Sequence, residues 1–515
     1  MERLSEIGDV FRRWERETPD VEAVRYGEQA WTWAQWGERI RRAAQAQVAA
    51  GLRPGDRVAF LDRNHPACLE TTLACSLVGT ANAVVNFRLA PDEIGYVLAD
   101  SEARVLFVGA DLLPVLDQLG DTLKAVERVV VVGGEADGYE AWLAAAPPVE
   151  PAYRPSPDDC FLQLYTSGTT GFPKGTMLTQ RGMCAHTVAV AEAVSFTRDS
   201  VSMVAMPLFH VGGTSWALLC MYAGGRTIVV RDLVPEAVLD QIVAQRVTHA
   251  FFVPAVYGFL LQVPGVAERD WSSLRCLAYG GSATPLPLLR RCLDAFGVDF
   301  YQAYGLTEMS GVSTILGPAD HRDPAHPERL PSAGRPIAGV QVKVVDPATL
   351  AELPAGPDHQ GEVWVRSEQH MAGYWGRPEA TAEMLLDDGW LRTGDAGYVD
   401  ADGYLFLTDR INDMIISGGE NVYPAEVERV LVEHPAVAEV AVIGVPDEKW
   451  GETVRAVVVP APGAAPDTAE LIDFCRQRLA GYKCPTSVEV VDALPRNATG
   501  KVLKYRLRER AAGAG

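Results

Sequence analysis

Positively charged residues are in the minority in this chain of 515 residues. Lysine and arginine number 46 against 67 aspartate and glutamate residues, which gives a formal net charge of −21 at pH 7. A surface this acidic repels phosphate backbones and anionic lipid headgroups, which argues against nucleic acid or an anionic membrane as the main partner. A polyanionic small molecule could bind only in a locally neutralised pocket.

Paired cysteines and membrane-spanning segments are also missing. The nine cysteines are odd in number and form no C-x-x-C pair, which predicts reduced thiols in a cytoplasmic protein rather than a disulfide frame or a zinc site. The N-terminal residues are charged from position 2, so no secretory signal is expected. The uncharged run Thr71–Phe87 contains threonines, a serine and two asparagines and is shorter than the roughly 20 apolar residues of a span. A buried helix followed by a strand is the better interpretation.

The two commonest nucleotide-binding fingerprints are absent as well. No Gly-Lys-[Ser/Thr] closes a P-loop, and the only Gly-x-Gly lies in the tail, at positions 513–515. What the chain has instead is Tyr165–Gly175, with three glycines, four serine or threonine residues and Lys174 within eleven positions. Glycines let backbone N–H groups approach an anion, and hydroxyls and the lysine add donors and charge. The composition predicts a phosphate cradle, with a flexible linker as the alternative.

Hydrophobic patterning predicts an α/β fold. Short apolar runs such as Val58–Leu61 and Val105–Val108 alternate with helical stretches, as in a parallel sheet covered by helices. After about residue 335 the pattern changes to hairpin strands, and Asp402-Gly403 predicts a two-residue turn. A compact α/β module with a helix from Pro424 follows, so a small domain is expected from about residue 410.

Five stretches fall in the order and spacing of one family. They are Tyr165–Gly175, Tyr301–Glu308, Gly389–Asp395, Asp409–Ile415 and Pro495–Lys501. With them the chain resembles the adenylate-forming superfamily of acyl-CoA synthetases, adenylation domains and beetle luciferases, and most nearly the fatty-acid and aryl-acid CoA ligases.

The resemblance implies a domain arrangement. A large N-terminal domain of doubly wound sheets plus a distorted β-barrel would span 1–409 and bind ATP and the acyl group. A small, mobile α/β lid domain would span 410–515, with a hinge near 410–413. The hinge position, usually lysine or aspartate in this family, is Asn412 here. Because asparagine is uncharged, the family's electrostatic control of lid-domain rotation is not expected to apply to this chain.

The resemblance also implies a reaction. Such a ligase uses ATP to convert a carboxylate into an acyl-AMP anhydride, and a thiol then displaces AMP. The first step joins two anions, so the site must supply positive charge and oriented donors. We therefore expect an AMP-forming carboxylic acid–CoA ligase that uses ATP, Mg²⁺ and CoA, acting first on a fatty acid of medium or longer chain. An aryl acid, or transfer of the acyl group to an amine or a carrier protein, is the alternative.

Individual residues take roles from the same resemblance. Thr307 would touch the α-phosphate and Glu308 would ligate Mg²⁺, although Glu308 alone could be a carboxylate at a helix start, and Asp395 alone a turn residue. The pantetheine arm of CoA would pass Gly418 and Gly419. The alternative is that these two glycines only form a hairpin turn. The nucleotide would contact the remaining set: Thr166, Ser167, Gly168, Thr169, Thr170, Gly171 and Lys174 at the phosphates, Gly281, Ser282, Ala283 and Tyr304 at the adenine, Gly305 beside them, and Asp395 and Arg410 at the ribose.

Two positions bear on the choice of acid. His210 matches a residue lining the acyl pocket, although a lone histidine after an apolar strand is more often a core residue. Amino-acid adenylation domains have an aspartate there, so an amino-acid substrate is disfavoured. Acetyl-CoA synthetases have a tryptophan where this chain has Gly305, which predicts a pocket open to acids larger than acetate. An intact Glu308, Asp395 and Lys501 also argue against a non-catalytic binding protein.

Lys501 generates the first testable prediction. By resemblance it bridges the carboxylate and the α-phosphate during adenylation, and it lies beyond the expected hinge. Lys501→Ala should therefore lower ATP-driven adenylation by about 10²–10³-fold, the usual loss for one preorganised charge-stabilising group, and leave CoA attack on a supplied acyl-AMP nearly intact. Equal losses in the two assays would contradict a rotating lid, and no loss in either would place Lys501 in a solvated basic tail.

Overall fold

The fold is that of a computed structural model. It describes residues 4–135, 137–166, 173–282, 284–410, 413, 415–417, 420–422, 424–447, 451–479, 481–496 and 502–513. The chain divides into two compact units: Met1–Val342 with Val365–Leu391, and Lys343–Trp364 with Arg392–Gly515. The expected domain boundary at 409/410 falls inside the second unit and stays a prediction. Asn412 of the expected hinge lies outside the described residues.

The described residues form helices and strands that alternate along most of the chain. The helices are α1 Asp9–Glu17, α2 Trp33–Ala49, α3 Pro66–Val78, α4 Pro91–Ser101, α5 Leu113–Leu116, α6 Gly138–Ala144, α7 Gln180–Ala193, α8 Val211–Ala223, α9 Pro235–Ala244, α10 Pro254–Leu260, α11 Leu286–Phe296, α12 Pro318–Arg322, α13 Pro378–Met384, α14 Pro424–Leu431, α15 Thr468–Arg476 and α16 Lys504–Gly513. The strands are β1 Glu22–Tyr26, β2 Gln29–Thr32, β3 Arg57–Leu61, β4 Ala81–Val84, β5 Val105–Gly109, β6 Arg128–Val132, β7 Cys160–Thr166, β8 Lys174–Thr179, β9 Val201–Val204, β10 Arg226–Val229, β11 His249–Phe252, β12 Cys276–Gly280, β13 Phe300–Leu306, β14 Gly311–Leu316, β15 Arg335–Pro336, β16 Gln341–Val345, β17 Gly361–Arg366, β18 Gly373–Tyr374, β19 Trp390–Val399, β20 Leu405–Arg410, β21 Ile415–Ser417, β22 Glu420–Val422, β23 Val437–Asp447, β24 Gly451–Pro460 and β25 Ser487–Val490.

Two sheets organise the first unit. One has nine strands in the order β15-β14-β13-β12-β11-β9-β10-β1-β2, and the other has seven in the order β18-β8-β7-β4-β3-β5-β6. Strands β9, β11, β12 and β13 pair in parallel, as do β3, β4, β5 and β7. Residues of β3, β5 and β12 are buried along their whole length, which explains why these strands are continuous apolar runs. The predicted α/β class is confirmed.

Local signals in the sequence account for the element ends near the N-terminus. Thr32 caps α2: its hydroxyl accepts from Gln35 N at 3.4 Å, and the Gln35 side chain accepts from Thr32 N at 2.9 Å. These two bonds satisfy donors that a helix N-terminus leaves free. The run from Thr71 onward is confirmed as a buried helix, α3, followed by β4.

The second unit contains a four-stranded sheet, β16-β17-β19-β20, and a five-stranded sheet in which β25 pairs with β24. The expected hairpin joins β19 to β20, but the prediction that its turn has two residues is wrong. Asp400 N donates to Tyr404 O at 3.0 Å, so three residues form the tip, and Gly403 takes a φ of +83°. The Asp400 carboxylate fixes this longer turn by accepting from Asp402 N and Tyr404 N.

Two expectations about the whole chain are also tested. All nine cysteines are free, and eight of them are buried, so the prediction of reduced thiols is confirmed. Among the described residues, every helix is too short or too polar to cross a bilayer.

Candidate active site

Predicted site residues that follow three parallel strands of the first unit lie at one edge of the nine-stranded sheet. Because β9, β11, β12 and β13 run parallel, the loops that follow them leave from the same edge. His210 follows β9, Gly281 and Ser282 follow β12, and Tyr304 and Thr307 lie at the end of β13. The structure therefore brings together residues that the sequence separates by almost one hundred positions.

Glycines at the end of β12 allow close strand packing. A side chain at Gly280 would collide with the carbonyl oxygen of Ala303 on the neighbouring strand, and Gly281 has a φ of +78°. Both positions therefore require glycine. Ser282 is exposed at this edge, whereas Ala283 lies outside the described residues.

Two paired strands of the seven-stranded sheet flank the predicted phosphate cradle. Thr166 at the end of β7 pairs with Lys174 at the start of β8. The residues between them include five of the predicted ligands, which lie outside the described part of the chain: Ser167, Gly168, Thr169, Thr170 and Gly171. The two flanking residues still fix where this loop begins and ends, and Lys174 Nζ lies 5.1 Å from the centre of the Tyr374 ring.

A buried carboxylate connects these strands to the nine-stranded sheet. Glu308 is 7% exposed and follows β13 in a short 3₁₀ turn, Thr307–Met309. Its Oε1 accepts a hydrogen bond from Thr166 Oγ1 at 3.1 Å and another from Tyr374 Oη at 2.8 Å. Two hydroxyl donors therefore stabilise the ionised carboxylate and fix its orientation. Sequence reasoning identified Thr166 and Glu308 but missed Tyr374, which lies in none of the five motifs.

Gly305 is glycine for a reason that differs from the expected one. A β-bulge lies between Tyr304 and Gly305, and a side chain at Gly305 would point at the backbone of Gly311 and Val312 on β14. The missing side chain thus lets the two strands approach each other. The expectation that it opens the acyl pocket is not supported, because its direction leads into the paired strand.

An apolar cavity lies between the nine-stranded sheet and helices α7 and α8. The space within it that the centre of a water molecule can reach is about 30 Å³, and none of the described residues around it carries a formal charge. Aliphatic side chains form most of its wall, and three aromatic side chains lie among them. Six of the lining residues are His186, Ser215, Trp216, Phe251, Tyr301 and Ala303.

His210 lies just before α8 rather than in the wall of this cavity. Its backbone carbonyl accepts from Gly213 N at 2.9 Å, and its ring packs on Phe209 with the centroids 4.5 Å apart. Burial, with a smaller effect of Arg88, lowers the pKa of His210 to about 4. The imidazole is therefore neutral at pH 7, and its predicted role at the acyl group stays a prediction.

The second unit positions Asp395 through a buried carboxylate that sequence reasoning missed. Glu362 is 3% exposed; its Oε2 accepts from Arg392 Nε at 3.0 Å, and its Oε1 accepts from Gly394 N at 3.3 Å. Thr393 Oγ1 then accepts from Asp395 N at 3.0 Å. These bonds fix the backbone that presents Asp395, which is 7% exposed.

Other predicted residues of the second unit are described less fully. Asp395 pairs with Arg410 in the β19–β20 ladder, so their backbones are adjacent as expected. The remaining predicted residues, Gly418, Gly419 and Lys501, lie outside the described part of the chain.

Comparison with known proteins identifies the family. The profile of the AMP-binding enzyme family matches residues 11–375, and that of the AMP-binding enzyme C-terminal domain matches residues 426–501. The chain belongs to the AMP-binding enzyme family. Its predicted membership of the adenylate-forming superfamily is thereby confirmed, and with it the expected class of AMP-forming acid–thiol ligase.

Individual relatives cover nearly the whole chain of this AMP-binding enzyme. It is 43% identical to a feruloyl-CoA synthase from an Amycolatopsis species, over 96% of this chain and 97% of the relative. It is 40% identical to the fatty acid–[acyl-carrier-protein] ligase ScoC of Streptomyces coeruleorubidus, over 96% of this chain and 94% of that relative. The fold is also similar to the solved structure of o-succinylbenzoate CoA synthetase from Bacillus subtilis in complex with its acyl-adenylate. The TM-score is 0.85 and the sequence identity 33%, over 98% of this chain and 99% of that chain.

The contacts of Glu308 generate the second prediction. Glu308→Gln should lower ATP–pyrophosphate exchange by about 10²–10³-fold, since it removes a preorganised charge. Tyr374→Phe should lower exchange by about 10- to 100-fold, since a hydrogen bond to a charged group contributes roughly 1.5–3 kcal/mol. Tyr153→Phe is the matched control, because its hydroxyl also donates to a carboxylate, that of Asp159, at 3.0 Å. Equal effects of the two tyrosine variants would remove Tyr374 from the site.

The position of Asp395 generates the third prediction. Asp395→Ala should raise the KM for ATP at least about tenfold, because charge-assisted hydrogen bonds of roughly 1.5–3 kcal/mol each to the ribose are lost. Asp346→Ala is the control: it removes a turn carboxylate of the same unit that accepts from Ala348 N and Thr349 N. An unchanged KM for ATP with normal turnover of Asp395→Ala would show that Asp395 does not bind the nucleotide.

Proposed function

We propose that the protein is an ATP-dependent aryl-acid–CoA ligase. The observation that supports the choice of acid is the cavity beside β13, whose wall carries Trp216, Phe251 and Tyr301 and no charged side chain. Trp216 and Phe251 pack with their ring centroids 5.8 Å apart. Aromatic side chains of this kind pack well on a flat ring. A fatty acid, the first expectation from sequence, becomes the alternative.

The uncharged wall also disfavours two other classes of acid. An amino acid would place its ammonium group, and a dicarboxylic acid its second carboxylate, against a surface that offers no counter-charge. Burying an unpaired charge costs several kcal/mol. Two relatives that are each 43% identical to this chain are named as feruloyl-CoA synthases, which agrees with an aryl acid.

Magnesium fits the site through one carboxylate. Among the described residues no group of three or more His, Cys, Asp and Glu side chains could hold a metal ion. Mg²⁺ is commonly bound by one or two carboxylates together with the phosphates of a nucleotide. In this proposal Glu308 would supply the protein ligand, and the ion would neutralise charge on the phosphates. Thr166 and Tyr374 hold the Glu308 carboxylate in place, and Lys174 adds positive charge.

The remaining assignments are part of the same proposal. Thr307 would contact the α-phosphate, Lys501 would stabilise charge during adenylation, and Gly418 and Gly419 would line the path of CoA. The nucleotide would lie against Tyr304 and the β12 edge. The boundary at 409/410 would separate the ATP- and acyl-binding domain from the lid, and free thiols favour a cytoplasmic enzyme.

The fourth prediction tests this function with a panel of carboxylic acids. Aryl acids should release pyrophosphate with the highest kcat/KM, and CoA should convert the adenylate to a thioester detectable by mass spectrometry. Ala303→Leu should lower kcat/KM for the best aryl acid by about 10- to 100-fold, because it fills the cavity, without changing the KM for ATP. The control Ala193→Leu adds the same volume at an exposed position of α7.

Each alternative has its own result in this assay. If long-chain fatty acids had the highest kcat/KM, the substrate would be a fatty acid, as first expected from the sequence. Pyrophosphate release without thioester formation would indicate an amine or a carrier protein as acceptor. If none of the acids in the panel supported pyrophosphate release, the proposal as a whole would be contradicted.

A further inference from the structure

The cavity beside β13 contains a histidine whose ring makes no hydrogen bond. His186 on α7 is completely buried, and neither Nδ1 nor Nε2 has a partner among the described residues. Leaving a buried polar group unsatisfied costs roughly 1–3 kcal/mol. The ring forms part of the wall of this cavity, so a molecule bound there would lie next to it.

Other buried histidines of the same unit are fully paired. His249 contacts Thr248 Oγ1 at 2.7 Å through Nδ1 and Val194 O at 3.1 Å through Nε2. His321 contacts Gly317 O at 2.7 Å and Tyr279 Oη at 3.0 Å. Each of these two histidines has two partners, whereas His186 has none; His370, which is only partly buried, also leaves its Nε2 without a partner among the described residues.

A second unpaired donor lines the same cavity. Trp216 on α8 is 6% exposed, and its Nε1 has no hydrogen-bond partner in the described part of the chain. Trp216 packs against Phe251 and Phe196, so its ring is held in place by neighbours. Two polar groups from two helices thus lie in the wall of a cavity that is otherwise mostly apolar.

Gly311 on β14 packs close to one edge of the imidazole. A Cβ at this position would lie 2.5 Å from His186 Nε2, and Gly311 has a φ of +133° that favours glycine. A side chain at residue 311 would therefore press on the ring nitrogen. Glycine lets the strand backbone approach the ring without this collision.

Burial also determines what His186 can bind. It lowers the pKa of His186 to about 3, so the ring is neutral at physiological pH, with one nitrogen as donor and the other as acceptor. A neutral imidazole and an indole N–H suit an uncharged oxygen substituent, whereas a second carboxylate would need a cation. An unsubstituted alkyl chain would leave both groups unpaired.

We propose that His186, with Trp216, is a specificity-determining residue that hydrogen-bonds an uncharged hydroxyl or ether oxygen on the ring of the acid substrate. This inference rests on the proposed aryl-acid ligase function and adds the polar substituent to it. A site built to hydrogen-bond a substrate hydroxyl discriminates strongly against the analogue that lacks it, because its own polar groups then stay unpaired.

The test compares 4-hydroxycinnamate with cinnamate, which differ only in the ring hydroxyl. For the wild-type enzyme, kcat/KM in CoA-dependent pyrophosphate release should be at least about tenfold higher for the hydroxylated acid. His186→Leu should reduce this ratio towards one, mainly through the hydroxylated acid, and should not lower the melting temperature, since an unpaired polar group is removed. His186→Gln keeps a donor and an acceptor and should retain part of the ratio.

His249→Leu is the control for a purely structural role. It removes two hydrogen bonds in the core, so it should lower the melting temperature and leave the substrate ratio unchanged. A wild-type ratio near one, or an unchanged ratio in His186→Leu, would overturn the inference while aryl acids were still used. If no aryl acid were a substrate and other carboxylic acids were, the aryl-acid proposal itself would fail, which is a different result.

Discussion

The hydrogen bonds that Thr166 and Tyr374 donate to Glu308 are the interaction on which the proposed nucleotide site depends. Both donors belong to the seven-stranded sheet, and the acceptor follows a strand of the nine-stranded sheet. A carboxylate with so little solvent around it needs such hydrogen-bond donors from the protein. The same bonds fix its position relative to the two strands that flank the predicted phosphate-binding loop. A charge is thus held in place before any ligand arrives, which lowers the cost of reorganising the site during reaction.

The second unit uses the same principle at Asp395. There the buried carboxylate of Glu362 holds the Arg392 side chain and the Gly394 backbone, so the turn before Asp395 is fixed by charge-assisted hydrogen bonds. In each unit a carboxylate proposed to contact the nucleotide is thereby held by neighbouring polar groups. A protein with a net charge of −21 can bind a polyanion only if its acidic groups are placed this accurately and paired this well.

The acyl cavity follows the opposite principle. His186 and Trp216 are buried without partners, which costs folding free energy that the rest of the core must offset. Other buried indole nitrogens of the described residues, those of Trp33, Trp36 and Trp142, also have no partner, so what sets His186 and Trp216 apart is that both line one cavity. In the proposed function, one site has its polar groups satisfied in advance and the other would have them satisfied by the substrate.

The sequence by itself determined the family, the α/β class and the local element ends, because these depend on motifs and on contacts between residues close in the chain. Thr32 and Gln35 are three residues apart, and their capping box could be predicted from spacing alone. Tertiary structure decided the rest. Thr166 and Glu308 are separated by 142 positions, so only the packing of two sheets shows that they meet. The direction of a side chain at Gly305 depends on a bulge that no residue pattern revealed. His186 looks like an ordinary core histidine in sequence, since the absence of a partner is a property of all the neighbours that the fold places around it.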